Sequence, residues 1–318
     1  MRWLPGGPFW MGSDRFYPEE RPLRRAAVAG FWIDETPVTN DEFAEFVRRT
    51  GYLTLAERKP SRRDYPDAPS RLLRAGSFVF SPPARAPALR DESDNPSWWR
   101  FVVGACWKRP LGPGSSLGGL GHHPVVHVVA EDAEAFAAFA GKALPTEAEW
   151  EFAARGGRDG RTDYAWGDEL EPEGRPMAKV WQGAFPHRNL APEALQRTAP
   201  VKSFPPNDFG LFDLIGNVWE WTADSFDAPP APGPKPCCSP PRDGAAATIP
   251  RRVLKGGSHL CAPEYCRRYR PPARWPQPID TSTSHIGFRC IRRGSGPQPA
   301  AGSPPRVVVQ VRRDAHGG

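Results

Sequence analysis

HHPVVHVVAEDAEAFAAFAGKALPTEAEWEFAARGG, residues 122–157, carries the clearest local signals in the chain. Its pattern predicts a short strand over VVHVV, then a helix stopped by Gly141. A second helix follows, with Thr146 as N-cap and Glu149 three residues on, a pair whose side chains satisfy each other's free backbone N–H groups. Upstream, FWIDETPVTNDEFAEFVRRTGY (31–52) repeats the device. A strand enters a helix capped by Thr39 and Glu42, with Phe43, Phe46 and Val47 on the apolar face and Gly51 as the stop. Downstream, FGLFDLIGNVWEWTAD (209–224) alternates large apolar residues with Gly and Asn, which predicts strand and tight turn. From Leu53 to Pro124 the chain is rich in Pro, Gly, Arg and Trp and places few elements. The reading is an irregular, loop-rich α+β fold.

Composition agrees. In 318 residues there are 40 prolines and 31 glycines, which interrupt regular structure, and 12 tryptophans, which anchor irregular backbone. The net charge of +6 comes from scattered arginines interrupted by acids, without a nucleic-acid-binding motif, so no nucleic-acid partner is expected. No apolar run approaches the roughly 20 residues of a membrane helix, and MRWLPGGPFW lacks a signal-peptide core. A cytoplasmic, monomeric protein without membrane attachment is expected. Residues 225–250 include APPAPGPKPCCSPPRDGAAA, which predicts an exposed Pro-rich loop inserted in a domain spanning 1–293. Residues 294–318 read as a disordered tail in which RVVVQVRR offers a candidate edge strand.

Six cysteines, at 106, 237, 238, 261, 266 and 290, are too few for a disulfide scaffold at this length. The sharpest chemical feature is KGGSHLCAPEYCRRYRPPARW (255–275), where Cys261 and Cys266 follow a Gly-Gly pair. Two thiolates on one short loop suit a soft ion of low coordination, Cu(I), better than zinc with its four ligands. Arg267, Arg268 and Arg270 stand where they could lower the thiol pKa values. Spacing alone also allows two packed small residues or an incidental disulfide. His123 and His127 have HxxxH spacing, but a strand pattern there removes the helical metal-ligand geometry.

The chain resembles the formylglycine-generating enzyme family, the sulfatase-modifying factors. The resemblance runs through GGPFWMGSD, PVTNDEFAEFV, HPVVHV, LPTEAEWEFAARGG, FPPNDFGLFDLIGNVWEW, KGGSHLCAPEYCRRYR and HIGFRC in the family's order. It implies a single domain with a C-type-lectin-like core. It also implies a copper-dependent oxidase that uses O₂ to convert a cysteine of a target protein, a sulfatase with a Cys-X-Pro-X-Arg-like motif, to formylglycine. Cys261 and Cys266 match the pair that holds Cu(I) and admits the substrate thiolate as a third ligand. A hydrogen then leaves the substrate Cβ, and the thioaldehyde hydrolyses. Ser258 matches a serine beside the copper, and Trp219 a wall of the oxygen pocket.

The resemblance further implies structural Ca²⁺ at Asp213, the carbonyls of Gly216 and Val218, and Glu220. A second calcium site aligns with Lys179, Val180, Glu193 and Leu195, where the lysine marks it as degraded. Ala137, Ala154 and Pro271 stand where secretory relatives have disulfide cysteines, which leaves Cys290 a free thiol. Residues Ala262, Pro263 and Glu264 depart from better-known members, and His285 replaces a substrate-contacting asparagine, so Tyr265 and His285 become candidate substrate contacts. Cys106 reads as a packed residue or an extra redox thiol, and the Cys237–Cys238 pair as a copper-capturing motif or an inert one. Two other functions stay open: a non-catalytic lectin-like binding module, and a paralogous oxidase with a different target.

Overall fold

The computed structural model describes residues 1–86, 98–158, 162–226 and 249–297. The strands and helices are, in chain order, β1 (Arg2–Leu4), β2 (Gly7–Met11), β3 (Arg24–Val28), β4 (Phe31–Ile33), α1 (Asn40–Thr50), β5 (Gly76–Phe80), β6 (Trp99–Val103), α2 (Ala130–Phe139), α3 (Glu147–Ala154), β7 (Trp219–Ser225), β8 (Arg251–Lys255), β9 (Arg274–Pro278), β10 (Ile286–Gly287) and β11 (Ile291–Arg293). Short 3₁₀ turns punctuate the long connections. The Pro-rich loop, Cys237, Cys238 and RVVVQVRR lie outside the described residues.

Both capping boxes form. Thr39 Oγ1 accepts the Glu42 N–H at 3.3 Å while Glu42 Oε2 accepts the Thr39 N–H at 2.8 Å, and Gly51 ends α1 in the left-handed region at φ 68°. Thr146 and Glu149 do the same for α3, at 3.1 and 2.8 Å. The start of α2 has a cap not anticipated above: the Asp132 carboxylate accepts the Val129 N–H at 2.9 Å. Gly141 closes α2 as expected, at φ 64°.

Among the described residues four small sheets accompany these helices, in the orders β1-β4-β11, β10-β7-β8-β9, β2-β3 and β5-β6. The strand expected over VVHVV is absent; Pro124 makes one isolated bridge to Thr39, and His127 adopts φ 63°, which breaks the ladder. Phe43, Phe46, Phe136 and Phe288 pack α1 against α2 in the larger core. A second core joins Phe9, Phe31, Trp150 and Phe152 beneath the three-stranded sheet.

Candidate active site

β8 delivers the chain to Gly256 and Gly257, at φ 94° and φ 72°. A Cβ on Gly256 would stand 2.7 Å from the Leu214 carbonyl oxygen, and one on Gly257 would stand 2.8 Å from that of Arg268. Only glycine permits both the left-handed turn and this closeness. Beyond the turn, Cys261 donates its N–H to the Ser258 carbonyl at 3.0 Å, and Cys266 donates to the Ala262 carbonyl at 2.8 Å. That second bond is one helical turn, which carries Cys266 back to Cys261. Their sulfurs are 3.3 Å apart, and both residues are fully buried. A disulfide would need about 2.05 Å, so these are free thiols, as are buried Cys106 and Cys290.

Trp219 lies in the same apolar cluster as both cysteines. Ser258 is buried three residues before Cys261, its hydroxyl accepting the Leu260 N–H at 3.2 Å. His285 is fully buried, with Nδ1 2.6 Å from the Thr283 hydroxyl and its ring 4.9 Å from that of Trp99. Burial pushes its pKa well below the ordinary histidine value, so the ring is neutral. Tyr265 is 37% exposed and stacks on Phe185 at 4.6 Å.

The structure adds an aromatic wall not read from the sequence. Phe80, Trp99 and Trp181 pack with Leu260 and Ala262 of the cysteine loop, and Trp98 and Phe185 extend the cluster. Trp181 also donates its backbone N–H to the Cys261 carbonyl at 3.0 Å. The indole N–H groups of Trp98, Trp99, Trp181 and Trp219, and His285 Nε2, are buried without a hydrogen-bond partner. Buried polar atoms are nearly always satisfied by protein or ordered water, and these orphans around one cysteine pair are donors open to a polar partner. Adjacent Trp98 and Trp99 in a polar stretch were the only sequence signal for this wall.

The three arginines after Cys266 have partners beyond the cysteine loop. Arg268 is paired with Glu19 at 2.6 Å, and Arg270 with Glu20 at 2.5 Å. Arg267 interacts with Tyr164 and Tyr269. Their role is to bind the segment after Cys266 to residues 16–20.

Thiols are soft donors, and two of them with sulfurs 3.3 Å apart make a two-donor set of the kind that suits Cu(I). The calcium residues fit in part. Asp213 is buried, burial pushes its carboxyl up to about 6, and its Oδ2 accepts the Lys202 N–H at 2.8 Å. Glu220 departs from expectation as a side-chain ligand, because Arg289 contacts its two oxygens at 2.7 and 2.8 Å and Trp150 donates to one at 2.7 Å. At the second calcium position Lys179 is buried, its ammonium reaching the Val180 carbonyl at 3.5 Å, while Glu193 is exposed. His123 and His127 have separate partners, Thr198 for the first, Ser77 and Pro110 for the second.

A family model described as "Sulfatase-modifying factor enzyme 1-like domain" matches residues 1–294. The chain is 51% identical over 295 residues to a protein of Mycobacterium tuberculosis named formylglycine-generating enzyme, covering 91% of this chain and 96% of that one. It is 38% identical over 311 residues to a Bos taurus protein named inactive C-alpha-formylglycine-generating enzyme 2, covering 93% and 88%. The solved structure of PvdO from Pseudomonas aeruginosa superposes with a TM-score of 0.55 at 23% identity, covering 91% of this chain and 92% of that one, which shows the shared α+β, C-type-lectin-like fold. The sequence match along nearly the whole chain places this protein in the sulfatase-modifying factor family.

Proposed function

We propose that the protein oxidises a cysteine of a protein substrate to formylglycine, with Cu(I) held by Cys261 and Cys266 and O₂ as oxidant. The observation that carries this reading is the buried pair of free thiols 3.3 Å apart beside a wall of unpartnered N–H donors. A Cu(I) ion bound there supplies a centre at which substrate sulfur and oxygen meet. In the balanced reaction the substrate –CH₂–SH loses its thiol proton, one Cβ proton and two electrons, and water replaces sulfur to leave the aldehyde and H₂S. O₂ is reduced to water, with the remaining two electrons from a thiol reductant.

The protein's own groups bind, orient and shield. The indoles of Trp98, Trp99 and Trp181 offer N–H donors to carbonyl groups of an extended peptide, and Trp219 presents an apolar wall beside the sulfurs. His285, neutral and braced by Thr283, offers Nε2 to the substrate without carrying charge into the site. The expected client is a sulfatase bearing a Cys-X-Pro-X-Arg-like motif. Ca²⁺ is assigned to Asp213 with the carbonyls of Gly216 and Val218. Buried free cysteines suit a reducing, cytoplasmic compartment.

The inactive relative favours a second reading, a binding module that keeps the fold without the chemistry. Mass spectrometry of a Cys-X-Pro-X-Arg peptide incubated with Cu(I)-loaded protein, O₂ and a thiol reductant decides between them. Formylglycine made by the wild type and by neither Cys261→Ala nor Cys266→Ala supports the oxidase. An unchanged peptide, together with unchanged sulfatase-derived sequences, supports the binding module.

A further inference from the structure

Tyr269 follows Cys266 by three residues and lies in the apolar cluster that holds both cysteines. Burial above all, then the charges of Tyr164 and Cys261, raises its phenol pKa, which puts the ring within electrostatic reach of the pair. Tyr164 stacks on Tyr269, with ring centroids 6.3 Å apart and ring planes 7° apart. Trp166 stacks in turn on Tyr164, at 5.2 Å and 5°. A tight turn presents these last two rings together, because Tyr164 and Gly167 exchange backbone hydrogen bonds of 2.8 and 3.4 Å around Ala165 and Trp166. Tyr269 and Tyr164 are buried, whereas Trp166 is half-buried, its indole N–H donating to the Glu169 carbonyl at 2.8 Å.

Packing alone asks only for apolar rings here. Two phenols and an indole are more than that: they are side chains that give up single electrons readily, and they run as one parallel stack from the buried sulfurs to solvent. The proposed reaction draws two electrons from a thiol reductant, yet both sulfurs are fully buried and a bound substrate stands between them and solvent. Electrons then have to arrive through the protein.

Building on the oxidase reading, we propose that Trp166, Tyr164 and Tyr269 form a relay that carries electrons one at a time from a thiol reductant in solution to the cysteine pair. An oxidising equivalent at the pair takes an electron from Tyr269, which is refilled from Tyr164, and Tyr164 from Trp166. Each phenol releases its proton with the electron and regains it on refilling. Arg267, exposed and in contact with both phenols, marks the solvent edge where those protons pass to and from water. The outside thiol restores Trp166 as RSH → RS• + H⁺ + e⁻, and after two passages the two thiyl radicals couple to a disulfide. These two electrons and two protons are the ones O₂ requires beyond those taken from the substrate.

The test runs the same path in reverse in copper-free protein. Azide radicals made by pulse radiolysis oxidise accessible indoles and do not reach the buried sulfurs. In wild type the indolyl absorbance is expected to pass into tyrosyl absorbance at a rate independent of protein concentration. Two passages then oxidise Cys261 and Cys266 to a disulfide with release of two protons, the electrons ending on azide, and alkylation after unfolding with mass spectrometry reads the loss of both thiols. Tyr164→Phe keeps the stacked ring without the oxidisable phenol, and Trp166→Phe removes the entry point, so each is expected to retain both thiols at the same radical dose. Intact Cys261 and Cys266 in irradiated wild type, or equal thiol loss in Tyr164→Phe, overturns the relay. The readout needs neither copper nor peptide, so a working relay in a protein that makes no formylglycine refutes the oxidase reading and leaves the relay standing.

Discussion

Glu20 and Arg270 meet through two hydrogen bonds of 2.5 and 3.0 Å, and neither side chain reaches solvent. Burial raises the Glu20 pKa despite the arginine, which means that desolvation outweighs the attraction. Removing one partner strands a buried charge, so Glu20→Leu is expected to cost about 3–5 kcal/mol in urea unfolding. The double replacement Glu20→Leu with Arg270→Met is expected to recover most of that loss. A double variant no more stable than the single one would refute this account.

The cysteine pair predicts a separation of stability from chemistry. Cys261→Ala and Cys266→Ala each remove one small buried group, at a cost of about 1 kcal/mol in unfolding free energy. Each is expected to abolish tight Cu(I) binding in competition with a colorimetric Cu(I) chelator. Retention of wild-type copper affinity by either variant would remove that sulfur from the donor set.

Lys179 predicts an unusual dependence on pH. Burial lowers its ammonium to about 8 from an ordinary 10.5. Between those values the unfolded chain holds a proton that the folded chain has released, so this residue makes stability rise with pH there. Below that window both states are protonated and the full burial cost, about 3 kcal/mol, remains. Lys179→Met is expected to raise stability at neutral pH by up to that amount and to flatten the alkaline slope. Urea melts at neutral and alkaline pH measure both effects.

Asp213 has the opposite sign. Its carboxyl is raised to about 6 from 3.8, so the folded state binds the proton more tightly, and stability present at low pH is lost as pH rises through the folded value. At neutral pH the loss is about 3 kcal/mol. Millimolar Ca²⁺ is expected to return part of it as a higher Tm. Asp213→Asn is expected to be at least as stable as calcium-free wild type and indifferent to Ca²⁺. A calcium response that survives in Asp213→Asn would place the ion elsewhere.

The two capping boxes were legible because Thr39 with Glu42 and Thr146 with Glu149 settle their chemistry within four residues. The approach of the Cys261 and Cys266 sulfurs to 3.3 Å is likewise made within one short loop. β5 was not legible, because its partners include Ser282 and Ser284, some 200 positions along the chain, and no periodicity in residues 76–80 announces them. The partners of the arginines after Cys266 were not legible for a related reason: their carboxylates, Glu19 and Glu20, lie about 250 positions upstream. Trp98, Trp99 and Trp181 became a wall only when the fold brought them to the cysteine loop.

The join between residues 16–20 and the segment after Cys266 also sets an order of events during folding. β1 and β11 flank β4 in one sheet, and Glu19 and Glu20 lock onto Arg268 and Arg270, so the site closes through contacts across almost the whole described chain. Such distant closure is entropically late. Until it happens, a ribosome-bound or refolding chain carries two neighbouring thiols open to oxidants, and the thiols become protected only after residues 267–270 have found their carboxylates.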